Sequence, residues 1–150
     1  MNEEDDDSVC LTPHSLASQS PCFLKIKNYN RGSVYCRPTH IHGGVLILTR
    51  DTLECEEICG IKELSVEIIV EMVAVRIPEK NIAILALNRV PSGELSDALQ
   101  IITSLEKCNI ILTGDCNVDF IEDSGNRNQL LNMIESFGLH IPTTERTPLD

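Results

Sequence analysis

Tryptophan is absent from this 150-residue chain, and only 3% of its residues are aromatic. Any core is therefore assembled from Leu, Ile and Val, and a hydrophobic content of 42% is enough to build one within a single domain. Basic residues are scarce as well. Twelve Lys and Arg stand against 23 Asp and Glu, for a net charge of −11. That balance excludes a surface that draws in nucleic acid by counterion release, which needs clustered cations. Contact with DNA would have to be local or metal-assisted. The seven cysteines are odd in number and contain no Cys-x-x-Cys pair, so neither a zinc ribbon nor a disulfide framework is expected. No basic segment followed by an apolar core opens the chain, and no apolar run is long enough to span a membrane. These absences point to a reduced setting, nuclear or cytoplasmic and not secreted, without membrane association.

What is present begins with the like-charge run Glu3-Glu4-Asp5-Asp6-Asp7, which reads as a solvated tail over residues 1–10. Residues 8–30 are polar, contain two prolines and carry too little apolar surface for a core element. A short strand is expected over 29–37. His42-Gly43-Gly44 then turns the chain into a buried strand at 45–48, which suggests a hairpin. Residues 65–77 are rich in β-branched side chains and stop at Pro78, which favours a strand, and an apolar run over 81–87 pairs with it across a hairpin-length interval. Ser96 caps a segment in which Leu95, Ala98, Leu99, Ile102 and Leu105 recur at helical spacing. Leu130, Leu131, Ile134 and Phe137 do the same before Gly138, a natural helix stop.

Between those two helical patterns lies the most informative stretch, Ile110-Ile111-Leu112-Thr113-Gly114-Asp115-Cys116-Asn117-Val118-Asp119. It reads as a short core strand with a tight exit at Gly114. If the backbone stays extended beyond that glycine, Asp115, Asn117 and Asp119 share one side while Cys116 and Val118 share the other. A carboxylate beside an amide at a strand's carboxyl end suits water, a metal ion or a phosphate oxygen. The same residues also make ordinary turns.

Taken in order, Tyr35-Cys36-Arg37, His42-Gly43-Gly44-Val45, Arg89-x-Pro91-Ser92-Gly93, Gly114-Asp115-Cys116-Asn117-Val118-Asp119 and Asn126-Arg127 resemble the endonuclease domain of non-LTR retrotransposons. That domain belongs to the endonuclease/exonuclease/phosphatase superfamily. The likeness covers residues 11–150. It implies an α/β (α+β) class and a partial DNase-I-like four-layered sandwich, with mixed sheets, flanking helices and truncation at both ends. The activity it implies is Mg²⁺-dependent hydrolysis of DNA phosphodiesters by in-line attack of water. On this resemblance Asp115 orients or activates the water, Asn117 bonds the phosphate, and Asn88 and Arg89 occupy the phosphate-binding Tyr-Arg positions of a Tyr-Arg-x-Pro motif.

The departures from the family pattern matter equally. Leu11-Thr12-Pro13-His14-Ser15-Leu16 is similar to a family segment whose third residue is the metal-binding glutamate. Proline has no side-chain oxygen to offer Mg²⁺. Asn88 replaces the family tyrosine, and the Ser-Asp-His segment that supplies the family's catalytic histidine has no counterpart. His14, His40, His42 and His140 stand in other contexts. The expectation is a phosphodiesterase-type fragment that is catalytically incompetent, with no metal held by this chain and weak DNA contact at best. A protein partner that completes the sheet is a further expectation. Two alternatives stand beside this reading: an active Mg²⁺-dependent endonuclease completed by another segment, and an unrelated acidic protein-interaction module.

Overall fold

The computed structural model describes residues 8–11, 25–40, 43–90, 108–118, 125–136 and 138–140. The helical pattern expected over 95–105, together with Pro13, His14, His42 and Asp119, lies outside these residues. Among the described residues seven strands form two sheets. In the first, β1 (Ser8–Leu11), β3 (Val45–Arg50) and β2 (Tyr29–Tyr35) run antiparallel in that spatial order. The second has the order β4 (Glu56–Glu57), β5 (Val70–Ile77), β6 (Ile82–Arg89), β7 (Asn109–Asp115). It is mixed: β5 and β6 are antiparallel, whereas β6 and β7 are parallel. One helix, α1 (Gly125–Ser136), covers it.

The strand period explains the layering. Alternate residues of β5 and β6 face opposite ways, and in this pair both sides are apolar. Val73, Val75, Ile77, Ile84 and Ala86 meet Val45 and Ile47 of β3, which forms the core between the sheets. Met72, Ala74, Leu85 and Leu87 meet Ile61, Leu130 and Ile134, which forms the core beneath α1. Leu130 and Ile134 are four residues apart and so lie on one helix face. Gly138, at φ 64°, ends the helix in a Schellman motif: its N–H donates to the carbonyl of Glu135 at 2.9 Å, and that of Leu139 to Ile134 at 2.9 Å.

Three expectations need correction. Residues 8–11, read as part of an irregular polar stretch, form β1, whose backbone pairs with Leu46–Thr49. The apolar content of 8–30 is thin as a whole, but Val9, Cys10 and Leu11 concentrate it at one end. The strand expected over 65–77 starts only at Val70. Residues 66–69 turn instead, with Val66 bridging to Val70 and Ile68 at φ 64°, so Val66, Ile68 and Ile69 are left exposed. Finally, β7 is not a fully buried core strand. It is outermost in its sheet among the described residues, and Ile111 is 49% exposed.

Leu130 is 1% exposed at the centre of the helix–sheet contact. Leu130→Ala is expected to lower the unfolding free energy by about 2–5 kcal/mol, read from urea denaturation followed by circular dichroism. A loss below about 0.5 kcal/mol would show that α1 does not dock as described.

Candidate functional site

Parallel pairing brings the carboxyl ends of β6 and β7 out side by side, the position at which open α/β sheets hold ligands. β5 runs the other way and begins there. In the ladder Glu71 stands opposite Asn88, and Asn88 opposite Asp115. Cross-strand partners share a face. The register therefore sets three polar residues in one row across three strands, on the side whose deeper positions, Val73 and Ala86, pack against the first sheet.

Beyond β7 the backbone does not stay extended. Asp115 is the strand's last residue and Asn117 adopts a left-handed conformation, φ 47°, which asparagine tolerates better than most residues. The Asn117 N–H donates to Asp115 Oδ1 at 2.9 Å, closing an Asx turn. The expected alternation of Asp115, Asn117 and Asp119 along one side is therefore replaced by a turn in which Asp115 and Asn117 bond each other. Gly114 makes the exit feasible: at φ 118°, its missing Cβ would collide with the carbonyl oxygen of Leu87.

Arg89 is 1% exposed. Its Nη1 donates to the carbonyl of Cys116 at 2.8 Å and to that of Asn117 at 3.4 Å, while the Asn117 side-chain amide donates back to the Arg89 carbonyl. The loop after β7 and the end of β6 thus hold each other from both directions. The guanidinium of Arg89, a phosphate-binding candidate on the resemblance, is buried and bonded to this loop. Cys116 turns toward the helix-side core. Burial first, and the neighbouring Asp115 charge second, push its thiol above the ordinary range, so it is neutral at pH 7.

Asn88 donates from Nδ2 to Glu71 Oε2 at 3.1 Å. Glu71 is the residue that sequence reasoning missed. Only 1% exposed, it is gripped by Arg37, whose Nε donates to Oε1 and whose Nη2 donates to Oε2 at 3.2 Å, and it also accepts the Ile68 N–H at 3.4 Å. That last bond accompanies the left-handed Ile68, a conformation costing about 1–3 kcal/mol for a β-branched residue. One signal was present in the sequence: Glu71 is a lone carboxylate inside the apolar run 68–75, and such a group needs a buried partner.

Next to this cluster, Glu67 accepts from the Thr39 N–H at 3.1 Å, the Thr39 hydroxyl at 2.7 Å, the His40 N–H at 2.8 Å and His40 Nδ1 at 2.8 Å. Desolvation alone would raise its carboxyl. The Thr39 and His40 hydrogen bonds outweigh that and lower it to about 2. His140, by contrast, lines an apolar cavity of about 400 Å³ between β7 and α1 with Leu112, Leu130 and Ile134, away from this row.

Mg²⁺ is held by one or two carboxylates with oxygens to spare. Among the described residues no three His, Cys, Asp or Glu side chains converge. Glu71 and Asp115 are separated by Asn88 and two strand spacings, about 10 Å at the backbone, and the Glu71 oxygens are already taken. The described residues do not fit a hard-cation centre.

Two outcomes test this geometry. Arg89→Met keeps apolar bulk but removes the donors to Cys116 and Asn117. It is expected to cost about 1–3 kcal/mol and to broaden the amide NMR signals of residues 115–118, whereas an unchanged loop spectrum would contradict the described contacts. For Glu67, the folded carboxyl lies below its unfolded value, so its contribution is present in full above the ordinary value of 4.5. That contribution shrinks as acid is added and is gone once the pH has fallen through about 2. The melting-temperature gap between wild type and Glu67→Gln should therefore be constant near neutrality and close between those two values. A gap independent of pH would refute the assignment.

Comparison with protein-family models finds no match, and neither does comparison with curated proteins. Solved structures do match. The endonuclease domain of TRAS1, a telomere-specific non-LTR retrotransposon, aligns with a TM-score of 0.58 at 17% sequence identity, over 82% of this chain. The present chain covers 58% of that one. With two sheets packed face to face and a helix outside, the chain has the fold of a non-LTR retrotransposon endonuclease domain, in the form of a partial DNase-I-like sandwich.

Proposed function

We propose that this chain is part of a phosphodiesterase-type nuclease domain that keeps the frame of the fold and lacks catalytic competence. One observation carries the reading. The four residues in catalytic and phosphate-binding positions are all bonded within the protein: Asp115 to Asn117, Asn117 to Arg89, Arg89 to the 116–117 carbonyls and Asn88 to Glu71. Groups that stabilise a transition state must aim donors at the place where charge develops, and here those donors point at the protein's own oxygens. Pro13 supports the same conclusion, because the residue type that the resemblance puts at the metal-ligand position carries no side-chain oxygen. Base, metal ligand and phosphate donors act as a unit, so loss of one costs orders of magnitude in rate.

DNA binding by the frame is weak on this reading, since a net charge of −11 opposes a polyanion. A second reading concerns protein partners. Strand β7 is outermost among the described residues and Ile111 is half exposed, which favours a partner strand that extends the sheet.

Supercoiled-plasmid nicking in Mg²⁺ or Mn²⁺ tests the main proposal. Wild type is expected to nick no faster than Asp115→Ala, and nicking that requires Asp115 would overturn the inactive assignment. For the partner reading, mass by light scattering should show association that Ile111→Lys abolishes. A monomer at every concentration, without partner, removes self-pairing from consideration.

A further inference from the structure

Three carboxylates stand at the site end of the second sheet, and a single short run of chain, residues 37–40, serves two of them. Glu71 receives four donors: Arg37 Nε, Arg37 Nη2, Asn88 Nδ2 and the Ile68 N–H. Glu67 also receives four, from the Thr39 and His40 backbone and side chains. An ionised carboxylate offers about two lone-pair sites on each oxygen, so Glu71, with two donors on each, is saturated, while Glu67 takes three donors on Oε1 and one on Oε2. Because a carboxylate only accepts, the proton of the His40 ring is on Nδ1. Arg37 binds Glu71 through two nitrogens at once, the strongest common form of carboxylate recognition. The slot for its guanidinium exists because residue 43 is glycine: a Cβ there would overlap the Arg37 guanidinium.

We propose that residues 37–40 are a built-in counter-cation strap, in which the Arg37 guanidinium, and not a divalent metal, is the resident cation of this sheet end. Electrostatics require some cation beside Glu71, since a carboxylate 1% exposed is costly unless paired. A guanidinium on the same chain meets that need at an effective concentration no free ion in solution matches. It also excludes the metal, because the oxygens a hard cation would take are occupied and the site already carries its positive charge. This inference stands on the donor geometry alone and holds whether or not the fold ever cleaved a phosphodiester.

Mn²⁺ is the probe, counted by electron paramagnetic resonance of the free ion and by melting temperature with and without the metal. Binding is scored as the part lost in Asp115→Asn or Glu71→Gln, which sets aside ions held by the acidic run at 3–7. Wild type is expected to show none of this component and no metal-dependent melting shift. Arg37→Met uncovers the Glu71 oxygens and should bind Mn²⁺ at least about tenfold more tightly than wild type, with a rise in melting temperature that Glu71→Gln removes. Wild-type Mn²⁺ binding that depends on Glu71 or Asp115 overturns the proposal, and so does a folded Arg37→Met protein with no gain. Should Arg37→Met fail to fold, the wild-type count against Asp115→Asn, a substitution at an exposed position, still decides the matter. Plasmid nicking does not enter this test, so its result and that of the catalytic reading are separable.

Discussion

The antiparallel register of β5 and β6 is the constraint on which the rest of the molecule depends. Both faces of this pair are buried, one against β3 and the other beneath α1, so a slip of one residue would carry each apolar set to the wrong core. The same register puts Glu71 opposite Asn88 and Val70 opposite Arg89. Polar residues at the end of the pair inherit their directions from the apolar ones before them. Asn88 looks toward the first sheet because Ala86 and Ile84 do. Arg89 looks toward the helix side because Leu87 and Leu85 do. The chemistry of the sheet end is thus a consequence of core alternation carried one or two residues past the core.

That inheritance explains why the charges here are consumed locally. A guanidinium delivered to the helix side of a sheet, at 1% exposure, has to find acceptors within reach, and the carbonyls of Cys116 and Asn117 are the ones the parallel β7 brings there. A carboxylate delivered between two sheets has the converse need, met by Arg37 from the end of β2. Burial of either ion alone would be prohibitive, whereas each with its partners is tolerable without being a large source of stability. What the pairs contribute is geometry. Arg37 ties the segment after β2 to β5, and Arg89 ties β6 to the loop after β7, so each of these loops is pinned to a central strand at the site end.

Much of this was legible from the residues. Runs of β-branched side chains bounded by Pro78 and by Gly43-Gly44 locate β3, β5 and β6, because strands buried on both faces are continuous apolar runs ended by turn formers. The paired Leu130 and Ile134 and the stop at Gly138 locate α1 by its period. The Gly-Asp-x-Asn segment was legible as a turn, and the Asn117 N–H bonded to Asp115 closes it as one. What was not legible depends on contacts between distant segments. Nothing local tells Ile68 to leave the strand, since its own preference is for extended backbone. Its left-handed turn belongs with the buried carboxylate of Glu71, whose partner lies 34 residues earlier. Arg89 likewise reads as a surface cation until the parallel register shows which face it occupies.

The relation between fold and chemistry then turns on what holds this end of the sandwich together. A metal-dependent site keeps its carboxylates poised and underpaired, because the cation completes them, and its repulsions are relieved only on binding. Glu71 is already complete, with two donors from its own chain on each oxygen. This saturation, a matter of contact geometry, departs from that pattern. Its outcome is that Glu71 finds its cation within the protein, in Arg37.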